Sequence, residues 1–169
     1  MVLVLMGVSG SGKTTVGTIL ARRLGWPFEE GDLLHSQAEI DKMKAGHPLT
    51  DRDRAPWLER VAGWIEHQND AGENGVIACS ALKRSYRDVL NRRGRDVLFV
   101  FLSGSRELIA KRVATRRGHF MPASLLDSQF RDLEPPQADE PAITVHVGPS
   151  PEVIAQEIVD RLSYDQSDS

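Results

Sequence analysis

At 169 residues, with 40% hydrophobic and 27% charged side chains, the chain is sized and composed for one globular domain with an ordinary core. A formal charge of −3 argues against a nucleic-acid partner, and the lone cysteine, Cys79, excludes an intrachain disulfide or a cysteine-based zinc site. The apolar start Met1–Met6 is too short for a signal peptide and no apolar run approaches membrane-spanning length, so a cytoplasmic protein without a membrane partner is expected.

Val2–Met6 reads as a buried strand and Lys13–Leu24 as a helix ended near Gly25. Pro27–Glu30 is a short strand, and Ser36–Ala45 a helix capped by Ser36 and stopped by Gly46. Ala55–Asn69 sets Trp57, Val61, Trp64 and Ile65 on one apolar helical face. Gly75–Cys79 and Val97–Leu102 read as buried strands separated by a helix over Ser85–Arg93. Ser105–Ala114 is a helix running into the basic stretch Arg116–His119, followed by a helix over Pro122–Leu133 and a Pro-rich loop, Glu134–Pro141. Ile143–Val147 is the last strand; Ser150 and Pro151 then open a helix with Ile154, Ile158 and Leu162 on one face. Tyr164–Ser169 is polar and expected to fray. Apolar strands alternating with helices predict a parallel sheet covered on both faces, in a single α/β domain over residues 1–163.

The decisive motif is Gly7-Val8-Ser9-Gly10-Ser11-Gly12-Lys13-Thr14, which fits the phosphate-loop pattern G-x-x-x-x-G-K-[ST] between a predicted strand and a predicted helix. The glycines let backbone N–H groups turn inward around phosphate oxygens, beside the positive end of the helix dipole. Lys13 can reach the β and γ phosphates, and the Thr14 hydroxyl can ligate Mg²⁺. ATP and Mg²⁺ are therefore the expected cofactors. GTPases and motor ATPases share this loop, but no Asn-Lys-x-Asp guanine motif occurs, and the strands at Gly75–Cys79 and Val97–Leu102 are followed by Ser80 and Ser103 rather than an acid. The acids come after the second strand, at Glu30 and Asp32, where they suit an acceptor hydroxyl and water-held Mg²⁺. This is the pattern of a small-molecule kinase.

Downstream of the loop stand Gly31-Asp32-Leu33-Leu34-His35, Lys42-Met43, Pro48–Leu58, Cys79–Asp88, Arg116–Met121 and Gln129–Glu134. With the phosphate loop, these blocks resemble the bacterial gluconate kinases over nearly the whole chain, from Val2 to about Leu162. The resemblance implies transfer of the ATP γ-phosphoryl group to the 6-hydroxyl of D-gluconate. It also implies a P-loop NTPase three-layer α/β/α fold, with a five-stranded parallel sheet of order 2-3-1-4-5 and a mobile lid, here about residues 115–135. Members of that family are commonly homodimers. Many relatives carry Asp where this chain has Glu30.

The side chains suit a linear polyol with one carboxylate. Arg54 can hold the carboxylate in a bidentate fork, although it also belongs to a charge run, Asp51–Arg54, that would suit a solvated face. Asp32 can bind the reacting hydroxyl as base or positioner, and His35 can bond other hydroxyls. Lys83 and Arg87 could face the acceptor or the phosphate in flight; alternatively they line a solvated basic helix. Arg112 and Arg116 share a helical face and, with Arg117, could close over the γ phosphate, Gly118 serving as hinge. Gly7 to Thr15 would hold the nucleotide, with Gly148-Pro149-Ser150 beside its base. Trp57 and Trp64 read as core, and Cys79 as an inert buried thiol. Another small carboxylated acceptor, shikimate-like or a different sugar acid, is the alternative reading.

Overall fold

The computed structural model describes residues 1–115 and 123–167. Its five strands, β1 (Val2–Met6), β2 (Phe28–Glu30), β3 (Gly75–Ala78), β4 (Val97–Ser103) and β5 (Ala142–His146), form one parallel sheet of order β2-β3-β1-β4-β5. The seven helices among the described residues are α1 (Lys13–Leu24), α2 (Gln37–Lys44), α3 (Asp51–Asp70), α4 (Arg84–Leu90), α5 (Arg106–Thr115), α6 (Ala123–Asp132) and α7 (Pro151–Ser167). A single 3₁₀ turn, Gly31–Leu34, follows β2 directly.

The two-residue period of a strand divides the core in two. Leu3 and Leu5 of β1, with Val100 and Leu102 of β4, point to the side covered by Val16 and Leu20 of α1, Ile109 of α5 and Ile154 and Ile158 of α7. Val2, Val4 and Met6, with Phe99 and Phe101, point to the other side, against Trp57, Leu58, Val61 and Ile65 of α3 and Tyr86 and Leu90 of α4. Every residue of β1 is fully buried, because it is central and covered on both faces. Each such Val or Leu contributes about 1.5–3 kcal/mol of transfer free energy.

The helix ends follow local chemistry. α1 stops at Gly25, whose left-handed backbone returns its N–H to Ala21 and Arg22. α2 opens on a capping box of Ser36 and Glu39. α3 begins four residues ahead of the expected Ala55, because Thr50 and Asp53 form a second capping box upstream of Pro56. α7 carries on through Ser167, past the Tyr164 expected to start a frayed tail.

All five strands run the same way, so their carboxyl ends share one edge of the sheet. Ligands bind at that edge in open α/β folds. It carries the loop after β1, the 3₁₀ turn after β2 and the segment after β3.

Candidate active site

The loop from Gly7 to Gly12 wraps back over the end of β1. Gly7, Gly10 and Gly12 take positive φ, and a Cβ on Gly10 would stand 2.5 Å from Val113 Cγ2. The Gly7 N–H donates to Ser80 O at 3.1 Å, tying the loop to the segment after β3. Lys13 folds across the loop, its Nζ donating to Gly7 O and Val8 O at 2.9 and 3.1 Å. Gly12 is the N-cap of α1 and has no side chain to cap with, so the first-turn N–H groups are left for the cradle. Ser11 is buried there, and its hydroxyl has no hydrogen-bond partner among the described residues.

A cavity of about 480 Å³ opens beside this loop, lined among others by Ser9, Lys13, Asp32, His35, Arg54 and Trp57. On the other side of the loop, Gly10, Gly12, Thr15, Arg112 and Gly148–Pro151 line a depression of about 470 Å³. Arg112 donates to Val147 O and braces the turn that borders this depression. The phosphate loop thus separates two spaces. One is bordered by Gly148–Pro151 after β5; the other gathers an acid, an imidazole and cationic side chains.

Gly31 shapes the 3₁₀ turn beside the larger cavity. A Cβ there would come within 2.2 Å of Ala78 O, so only glycine lets the turn cross the end of β3 this closely. Asp32 follows and opens onto the cavity. Trp57 donates its indole N–H to Gly31 O at 2.8 Å and stacks on His35, with ring centroids 4.2 Å apart and planes 14° apart. Glu30 caps the same turn, accepting the Asp32 N–H, and its Oε2 accepts a short hydrogen bond from the Thr14 hydroxyl. Burial raises the Glu30 carboxyl, against the lowering effect of Thr14. Two hard oxygen donors meet at this point, which suits Mg²⁺ shared with phosphate oxygens and water. Among the described residues no group of three or more His, Cys, Asp and Glu side chains could hold a metal alone.

Arg54 projects from α3 into the cavity. Its Nη1 donates to Tyr86 OH at 2.8 Å and lies 3.6 Å from Asp132 Oδ2 of α6. Tyr86 OH donates to Asp51, which also takes Lys83 Nζ at 3.0 Å. Burial and the Asp51 hydrogen bond raise the Tyr86 hydroxyl, keeping it a neutral donor. Lys83 thus joins this network through Asp51 and is not among the residues lining the cavity.

Arg87 departs from expectation. It is only 1% exposed, and its guanidinium is taken up by Glu140 at 2.6 and 3.1 Å and by the carbonyls of Ala81 and Leu82. Its counter-ion, Glu140, lies in the Pro-rich loop, and helical spacing from Lys83 carries no sign of that loop. Arg116, Arg117 and Gly118, the expected hinge, lie outside the described residues. Cys79 is fully buried, and burial pushes its thiol up to about 12, in keeping with an inert side chain.

Several residues at the site carried no assigned role in the sequence. Trp57 was legible only as core, and it is buried while also walling the cavity. Gln129 of α6 accepts the Ser9 N–H at 2.6 Å and donates to Ser9 Oγ at 3.0 Å. Asp132, one turn further on, meets Arg54. Their i, i+3 spacing was the available signal.

The phosphate loop, the parallel sheet and the acid after β2 together define a P-loop kinase. The family model for shikimate kinase matches residues 9–163. A gluconokinase from Gluconobacter oxydans (strain 621H) is 52% identical over 157 residues, covering 93% of this chain and 88% of its own. The solved structure of a gluconokinase from Sinorhizobium meliloti 1021 is 43% identical with a TM-score of 0.87, covering 98% of this chain and 94% of its own. That of a sugar kinase from Janibacter sp. HTCC2649 is 46% identical with a TM-score of 0.90, covering 96% and 94%. The chain belongs to the shikimate kinase family and, within it, to the gluconokinases.

Proposed function

We infer that the chain phosphorylates D-gluconate at its 6-hydroxyl with ATP, giving 6-phosphogluconate and ADP. The observation that carries this is one cavity in which Lys13 of the phosphate loop, an acid, an imidazole and a guanidinium converge. Asp32 holds the attacking hydroxyl and takes or orients its proton. Arg54 takes the acceptor carboxylate, and His35 bonds a hydroxyl between them. Lys13 leaves the carbonyls of Gly7 and Val8 for the phosphate oxygens, while the N–H groups from Val8 to Thr15 hold the polyphosphate. As the new O–P bond forms, the bond to the ADP oxygen breaks, with charge spread over the transferring oxygens. Arg116 and Arg112 belong to this charge-bearing set, and residues 115–135 act as a lid over it. Thr14, with Glu30 through water, would hold Mg²⁺, which supplies charge neutralisation between the β and γ phosphates.

The reading extends to a homodimer, on family resemblance, and to the cytoplasm, where ATP is at hand. Light scattering tests the first and cell fractionation the second. The activity itself is tested by coupled ADP release across gluconate, other aldonic acids, shikimate and neutral polyols. Gluconate is expected to turn over fastest, and Lys13→Ala to lower kcat at least about 10²–10³-fold. Absence of gluconate turnover, or preference for shikimate, overturns the reading.

A further inference from the structure

Glu39 stands behind the cleft, at the third position of α2. Its Oε2 accepts the Ser36 N–H at 2.9 Å and lies 2.7 Å from His35 Nδ1; its Oε1 lies 3.5 Å from Arg60 Nη2. A capping box needs only the first of these contacts. An ionised carboxylate only accepts hydrogen bonds, so the imidazole proton that meets it belongs to Nδ1. Burial works against ionisation of Glu39, but the hydrogen bonds from His35 and Ser36 outweigh it and hold its carboxyl below the usual range.

Stacking supports the ring in this orientation. Its face is stacked on Trp57, and Trp57 is itself pinned to Gly31 O. His35 lines the cavity with a side chain that is 5% exposed; with Nδ1 engaged, Nε2 is its remaining ring nitrogen, and it has no hydrogen-bond partner among the described residues.

We propose that Glu39 is a positioning residue that fixes His35 as its Nδ1–H tautomer and aims Nε2, as a hydrogen-bond acceptor, at a hydroxyl of the acceptor substrate. The cleft then selects polyhydroxylated acids over acids lacking a hydroxyl at that place. The proposal rests on the reading of this cavity as the acceptor site. It adds a residue with no contact to the substrate, acting through one that has it.

The tautomer is read directly by nitrogen-15 correlation spectra of the histidine side chains in the full chain, the His35 signals being assigned by their loss in His35→Ala. Protonation at Nδ1 is expected in the parent and in Glu39→Gln, whose amide oxygen still accepts, and a shift toward Nε2–H in Glu39→Ala. In kinetics, Glu39→Ala should raise the KM for gluconate about three- to tenfold, with the KM for ATP and kcat little changed. Glu39→Gln should restore most of this, and Glu39→Ala should add nothing in the His35→Ala background. An Nε2–H tautomer in the parent overturns the proposal, as does a full additive effect in that background. If the parent fails to turn over gluconate, the functional reading falls, while the spectra still decide what Glu39 does to His35.

Discussion

Arg54 shows how a residue's surroundings decide its work. It is largely shielded from solvent, yet among the described residues no carboxylate makes a full bidentate pair with it: Tyr86 OH holds one nitrogen and Asp132 stands at 3.6 Å. A structural arginine in this fold looks different, as Arg87 shows with four protein hydrogen bonds. Arg54 thus keeps donors for an anion in the cavity. A charge-assisted hydrogen bond contributes about 1.5–3 kcal/mol, so Arg54→Ala should raise the KM for gluconate about 10–100-fold with a smaller change in kcat. Steady-state kinetics with each substrate varied checks this; a change confined to the KM for ATP would remove Arg54 from the acceptor side. In the sequence, Arg54 read as the carboxylate ligand and Arg87 as a side chain that could face the acceptor or the phosphate; what takes Arg87 away is Glu140, 53 residues beyond it, and sequence spacing carries no trace of that pairing.

At the scale of elements, α6 connects the two halves of the cleft. Gln129 grips Ser9 of the phosphate loop, and one turn later Asp132 meets Arg54. An acceptor carboxylate would compete with Asp132 for the guanidinium. The pair is partly exposed and loosely spaced, so its strength is that of a surface ion pair, up to about 1 kcal/mol. Asp132→Asn is therefore expected to lower the KM for gluconate by up to about fivefold, measured at saturating ATP; a rise would instead make Asp132 a ligand. The strands, the phosphate loop and the turn bearing Asp32 were legible in the sequence, since each rests on short-range signals: apolar runs, glycines and a strand–loop–helix order. The start of α3 was not, because the apolar face that marks the helix begins only at Trp57, while the Thr50–Asp53 cap fixes its start upstream. The contacts of α6 were equally hidden, since they join residues 120 positions apart in one case and 78 in the other.

For the whole molecule, the Arg87–Glu140 pair is a buried junction between α4 and the long connection from α6 to β5. Both side chains are nearly inaccessible, at 1% and 5% exposure. Arg87 also grips the carbonyls of Ala81 and Leu82, and Ser80 just before them accepts the Gly7 N–H, so the phosphate loop leans on the same brace. Burial opposes ionisation of Glu140, but Arg87 and the Gln137 N–H outweigh it and lower its carboxyl below the ordinary 4.5. A carboxyl lowered by folding contributes stability that is complete above its unfolded value and is lost as pH falls through the folded one. The parent should therefore lose stability as the pH drops below about 4.5. In Glu140→Gln that part of the acid limb should flatten. The amide leaves the Arg87 charge buried without its counter-ion, a loss of about 3–5 kcal/mol at neutral pH. For a chain of this size that corresponds to a Tm lower by roughly 6–20 °C. Thermal melts of parent and variant from pH 3 to 7 check both outcomes. A constant difference across that range would mean that Glu140 holds the loop by shape and hydrogen bonding, with its charge contributing nothing to the pH dependence.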